Sequence, residues 1–130
     1  MSELTEMFDG FNREYFGGRL PRYRVRLAAL TAEGILGHCD GRRRLIRLRR
    51  GLEGDGIRGA LLHEMCHVGV SGHGPRFMRR LHRIARHEPA VATECRYRRV
   101  WELLRRCGGT GDPMLFVLGL LEAEVARRGL

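Results

Sequence analysis

His63, Glu64, His67 and His73 stand within eleven positions of one another, in the stretch LLHEMCHVGVSGHGPRF over 61–77, in a chain with only six histidines. His63 and His67 are four apart, so on a helix both imidazoles leave one face a turn apart, within reach of a single metal ion. Glu64, about 100° round the helix axis, stays unligated but near. This is the HExxH arrangement, in which two histidines bind zinc and the glutamate serves as general base. Chance placement would produce it in roughly one such chain in fifty, so the surroundings have to decide. Gly69 and Gly72 let the chain reverse after His67, which brings His73 back as a third ligand. Three neutral protein ligands leave a fourth tetrahedral position for water, which marks a catalytic rather than a structural zinc site. One zinc ion per chain is therefore expected, held by His63, His67 and His73, with Glu64 as catalytic base. The blander readings are two ordinary helix-surface histidines and a loop histidine. Cys66 lies close to His63 on the helix wheel, but small buried thiols are common and it reads as core. His38 reads as a surface residue.

The elements that must position these side chains are legible from periodicity. Residues 2–16 put Leu4, Met7, Phe8, Phe11 and Tyr15 at helical spacing, and Gly17 and Gly18 end that helix. YRVRLAAL over 23–30 alternates Tyr23, Val25 and Leu27 against Arg24 and Arg26, the period of a half-buried strand. A second short strand is expected around EGILGH. Asp40-Gly41 then reads as a hairpin turn in which glycine accepts positive φ, and RRRLIRLRR follows as a third strand with Ile46 and Leu48 inward. The expectation is a helix followed by a three-stranded antiparallel meander. From Asp55 the period is helical again, with Ile57, Ala60, Leu61, Met65 and Val68 on the buried side; this helix carries the histidines. Pro75 opens another helix with Phe77, Leu81 and Ile84 inward and Arg76, Arg79, Arg80, Arg83 and Arg86 outward. Pro89 stops it, and a further helix over roughly 90–106 carries Trp101. Gly108, Gly109 and Gly111 form a joint before a last, largely apolar helix. The expected division is a domain over 1–110 and a C-terminal apolar helix over 111–130, packed on that domain or on a partner.

At 130 residues the chain is long enough for one buried core, with a monomer favoured. No uninterrupted apolar run approaches the roughly 18–20 residues that cross a bilayer, and the acidic start MSELTEMFDG lacks the basic opening of a signal peptide. A soluble, cytoplasmic protein with no membrane partner is expected. The net charge is +9, carried by 24 arginines and no lysine. GC-rich codon usage accounts for arginine over lysine; the excess itself still attracts polyanions. Arg76, Arg79, Arg80, Arg83 and Arg86 are thus candidate nucleic-acid contacts, or else a solvated helix face. The four cysteines form no CxxC pair, so no zinc ribbon is written here.

Several phrases together resemble the SprT-like (Spartan-type) zinc metalloproteases: FDGFNREYFGGRLP over 8–21, LIRL over 45–48, LLHEMCH over 61–67 and GHGPRFMRRLHRI over 72–84. The resemblance covers roughly the first 87 residues. It implies an α+β, zincin-like fold with zinc bound by His63, His67 and His73, Glu64 as base, and cleavage of proteins, in the best-known members those crosslinked to DNA. The five residues between His67 and His73 are fewer than in many members. They resemble the ligand spacing of metzincins, whose glycine would fall at Val70. A second donor to the oxyanion is usual, and His82 and Tyr97 are the candidates. The alternative is a basic DNA-binding module whose zinc is structural or whose protease is inactive.

Overall fold

The computed structural model describes residues 2–30 and 36–106; the expected C-terminal helix over 111–130, and with it the domain boundary, lies outside the described residues. The order is α1 (Glu3–Phe16), β1 (Arg24–Ala28), β2 (Gly37–Asp40), β3 (Leu45–Arg49), α2 (Gly54–Cys66), α3 (Pro75–Ala85) and α4 (Pro89–Arg106). The fold is α+β, four helices with a three-stranded mixed sheet. No described helix is long and apolar enough to cross a membrane.

Ser2 caps α1 by accepting from the Thr5 N–H at 3.2 Å, which satisfies a donor the first turn leaves unpaired. Gly17, at φ 61°, ends it in the left-handed region that glycine enters without strain. The inward face of α1 supplies Phe8, Phe11 and Phe16, and Phe8 stacks on Tyr23 with ring centres 6.0 Å apart. Asn12 is buried as well: its side chain donates to the Leu20 carbonyl at 3.0 Å and accepts from the Leu20 N–H at 3.1 Å. The FN..YFGG.LP phrase thus folds back on itself before the sheet begins.

The sheet is not the expected antiparallel meander. Its order is β1-β3-β2, with β3 antiparallel to β2 but parallel to β1. Alternation dictates which side chains face the core; it does not dictate which strands are neighbours. The central place goes to β3, whose inward Ile46 and Leu48 are fully buried. Residues 29–36 only have to bridge two strand spacings of about 4.8 Å each, well within their reach. β2 is left on one edge and begins at Gly37, later than expected. Leu27, expected inward, is 44% exposed, because β1 is the other edge strand and has no outer neighbour among the described residues.

The hairpin turn also works differently. Gly41 does not adopt a positive φ; the left-handed residue is Arg44, at φ 49°. Asp40 organises the turn by accepting from the Arg42 and Arg43 N–H groups at 3.0 and 3.1 Å, as short acidic side chains do at turns.

Leu61, Leu62, Met65, Phe77, Leu81, Ile84 and Val91 fill the core between the sheet and helices α2 to α4. Truncating one of the leucines to alanine costs about 2–5 kcal/mol at such sites. α2 and α4 approach closely at Gly59: a Cβ there would meet the Ala90 carbonyl oxygen at 2.7 Å. Glycine is required for this crossing, and one turn further along the same two helices stand His63 and Glu94.

Candidate metal centre

α2 carries His63 and Glu64, ends at Cys66, and passes through His67 as its C-cap. Gly69 at φ 71° and Gly72 at φ 70° then reverse the chain, as their lack of a Cβ permits. His73 comes back over the helix end. The Nε2 atoms of the three imidazoles form a nearly equilateral triangle: 3.3 Å from His67 to His63, 3.2 Å from His67 to His73, and 3.4 Å from His73 to His63. Ligands about 2.05 Å from an ion at tetrahedral angles stand about 3.3–3.4 Å apart, so the triangle has the edge length a tetrahedral site needs. The three histidines are also the group of side chains able to hold a metal ion found among the described residues.

The rings are held from behind. Phe77 is fully buried and its ring centre lies 5.0, 4.6 and 4.8 Å from those of His63, His67 and His73. Nδ1 of His63 pairs with Glu94 Oε2 at 2.6 Å, and Nδ1 of His67 with the Val70 carbonyl at 3.2 Å. Partners of this kind fix the tautomer, because a proton on Nδ1 leaves the Nε2 lone pair free for a metal. Burial lowers the pKa of His67, and burial, with Arg98 and the other two imidazoles, pushes that of His73 down to about 4. That favours the free-base form of His67 and His73, the form that binds metal.

Glu94 was not legible as a site residue. Burial alone would raise its pKa, but the hydrogen bond and charge of His63, with the Arg98 guanidinium, bring it down to about 2. Glu94 and Arg98 are spaced as an ordinary helical ion pair. Nothing local shows that α4 points them at a histidine 31 residues earlier.

Glu64 is 7% exposed and accepts no hydrogen bond from the protein among the described residues; its Oε2 lies 4.0 Å from His63 Nε2. Burial, partly offset by His63, raises its pKa. β2 passes so close that a Cβ on Gly37 would meet Glu64 Cγ and Oε2 at 3.0 Å and the Arg47 carbonyl at 3.2 Å. This glycine is therefore part of the site. A cleft of about 840 Å³ opens between β2 and the helices, lined by Leu36 to Cys39 on one side and by His63, Glu64, His73, Thr93, Glu94 and Arg98 elsewhere.

The other expected residues are dispersed. Cys66 is buried and its thiol is pushed up to about 12, first by burial, which fits the core reading. His38 is exposed beside Arg47 yet lines the cleft. His82 is exposed in a separate depression with Met78, Arg79 and Arg99, outside the cleft, with Nδ1 3.9 Å from Cys95 Sγ. Tyr97 lies on α4, but its side chain is outside the described residues. Arg76, Arg79 and Arg83 on α3 and Arg86 at its C-cap are exposed as expected. Arg80 turns inward instead and donates to the Val68 and Cys66 carbonyls at 2.6 and 3.2 Å, closing the end of α2.

No curated protein and no solved structure gives a significant match to the chain. The model of the SprT-like family matches residues 4–97, from the first helix through the three histidines to Glu94 on α4. That span is well over half of the chain, which belongs to the SprT-like family.

Proposed function

We propose that this chain is a zinc-dependent endopeptidase that hydrolyses peptide bonds in protein substrates, DNA-bound or crosslinked proteins among them. The observation that carries this reading is a buried carboxylate without a protein donor among the described residues, Glu64, beside three imidazole nitrogens spaced for one tetrahedral ion, in an open cleft. Three nitrogen ligands favour zinc and leave a position for solvent. The ion would polarise the scissile carbonyl and lower the pKa of water from 15.7 toward about 7. Glu64 takes a proton from the attacking water as the C–O bond forms. It then delivers that proton to the amide nitrogen as the C–N bond breaks. β2 is an edge strand whose residues line the cleft, so an extended substrate segment can add to it through backbone hydrogen bonds, which favours breadth over sequence selectivity. The test is metal analysis together with digestion of casein or histone, with and without DNA. About one zinc per chain and zinc-dependent cleavage are expected; a fully loaded protein that cleaves neither substrate would end the reading.

A specific feature favours nucleic acid as a further partner. Across the sheet, Arg26 and Arg47 stand directly opposite one another, and Arg24, Arg42, Arg43 and Arg44 are exposed nearby. Like charges facing each other across strands are destabilising unless a polyanion covers them. Binding to duplex or single-stranded DNA that weakens steeply with salt is expected, and binding indifferent to salt would remove this partner.

A further inference from the structure

Among the described residues, Arg98 is the one arginine that lines the cleft, and its side chain is only 12% exposed. Nε donates to Glu94 Oε2 at 2.5 Å, and the guanidinium carbon lies 5.6 Å from the centre of the Phe77 ring, on which all three imidazoles pack. The terminal nitrogens donate to no protein group among the described residues. They are not sealed off either, since neither is among the enclosed side-chain nitrogens and oxygens of those residues that lack a hydrogen bond.

Two other half-buried arginines show what a structural role looks like. Arg58 forks both Nε and Nη2 onto Glu88, and Arg80 gives Nη1 to two carbonyls. Buried donors find acceptors as a rule. Arg98 is held through one N–H and lines the same cleft as the imidazole triangle. Neither His82, outside the cleft, nor any other charged donor in the described cleft wall is so placed.

We infer that Arg98 is a catalytic residue that binds the oxygen of the scissile carbonyl and stabilises the negative charge it acquires. The inference rests on the peptidase reading. As water oxygen bonds to the carbonyl carbon, the carbonyl π pair moves onto oxygen. Arg98 donates hydrogen bonds to that oxygen and keeps its own protons. When the pair returns, the C–N bond breaks and the nitrogen leaves with the proton Glu64 carried. A charged, pre-oriented donor at this oxygen is stronger than a neutral one, and its removal costs about 100-fold or more in kcat.

The rival role is positional: Arg98 would merely hold Glu94, and through it His63. Metal affinity separates the two. In Arg98→Ala, kcat should fall about 100-fold while KM changes little. Affinity of the zinc-loaded protein for a phosphinic peptide, whose tetrahedral anion mimics the charged oxygen, should fall by a similar factor. Zinc affinity, measured against a chromophoric chelator, should stay within about threefold, since His63 still holds Glu94. Arg98→Lys, which keeps the charge without the fork and guards against a folding defect, should lose an intermediate factor. Unchanged phosphinic-peptide binding in Arg98→Ala would overturn the assignment, as would a kcat loss that excess zinc restores. A wild-type protein that cleaves nothing would defeat the peptidase reading and this assignment with it, whereas cleavage that Arg98→Ala leaves intact would overturn the assignment alone.

Discussion

Glu88 and Glu64 are almost equally hidden from water, at 5% and 7% exposure, and they are treated in opposite ways. At the α3–α4 junction, Glu88 accepts from the Tyr15 hydroxyl at 3.0 Å and from Arg58 at 3.2 and 2.7 Å, tying α1, α2 and α4 together. Burial and the Glu88 carboxylate raise the Tyr15 pKa, keeping that hydroxyl a donor. At the cleft, Glu64 has no such donor among the described residues and lies against β2 at Gly37. A buried carboxylate that is fully hydrogen-bonded holds a fold together; one left without donors costs stability and is free to move a proton. Glu94 falls between the two. It is ion-paired like Glu88, but what it holds is an imidazole rather than a helix junction.

This contrast breaks most decisively at Glu64. Glu64→Gln removes the proposed base while losing no hydrogen bond seen among the described residues, so hydrolysis should fall by about 1,000-fold, within the range for general bases, with zinc content and unfolding midpoint unchanged. A drop in stability matching the loss of activity would make Glu64 a structural carboxylate like Glu88. Glu94→Gln should weaken zinc binding by about 10–100-fold, read by chelator competition, because the amide orients the imidazole without raising its basicity. The reciprocal change is Glu88→Ala, which should cost about 2 kcal/mol in denaturant unfolding, moderated because Arg58 is 39% exposed, with activity per folded molecule preserved. Loss of activity there at full folding would show that the junction reaches the site. The smallest effect sharpens the role of Gly37: alanine should displace the Glu64 carboxyl, slowing turnover about tenfold while stability moves by about 1 kcal/mol. Unaltered turnover would mean that the strand does not set Glu64.

Much of the centre was legible because it is local. The positions of His63, Glu64 and His67 follow from the helical period, and Gly69 and Gly72 supply the reversal that returns His73. The inward faces of α1 and β3 follow from periodicity in the same way. The turn at Asp40 shows where local reasoning slips: the segment reverses as expected, but through the Asp40 side chain and a left-handed Arg44 rather than through Gly41. Arg80 and His82 show it again, since a helical pattern with five arginines outward gave no sign that one would cap a neighbouring helix or that the histidine would miss the cleft.

The sequence by itself determined the grouping of the three histidines and the faces of the elements, because both depend on contacts within a few residues along a helix or strand. The tertiary structure decided that β1 lies parallel to β3, that Gly37 backs Glu64, and that Glu94 and Arg98 meet His63. Those pairings form between segments brought together only when the apolar faces are buried as one core, and no local period encodes which distant face will be chosen.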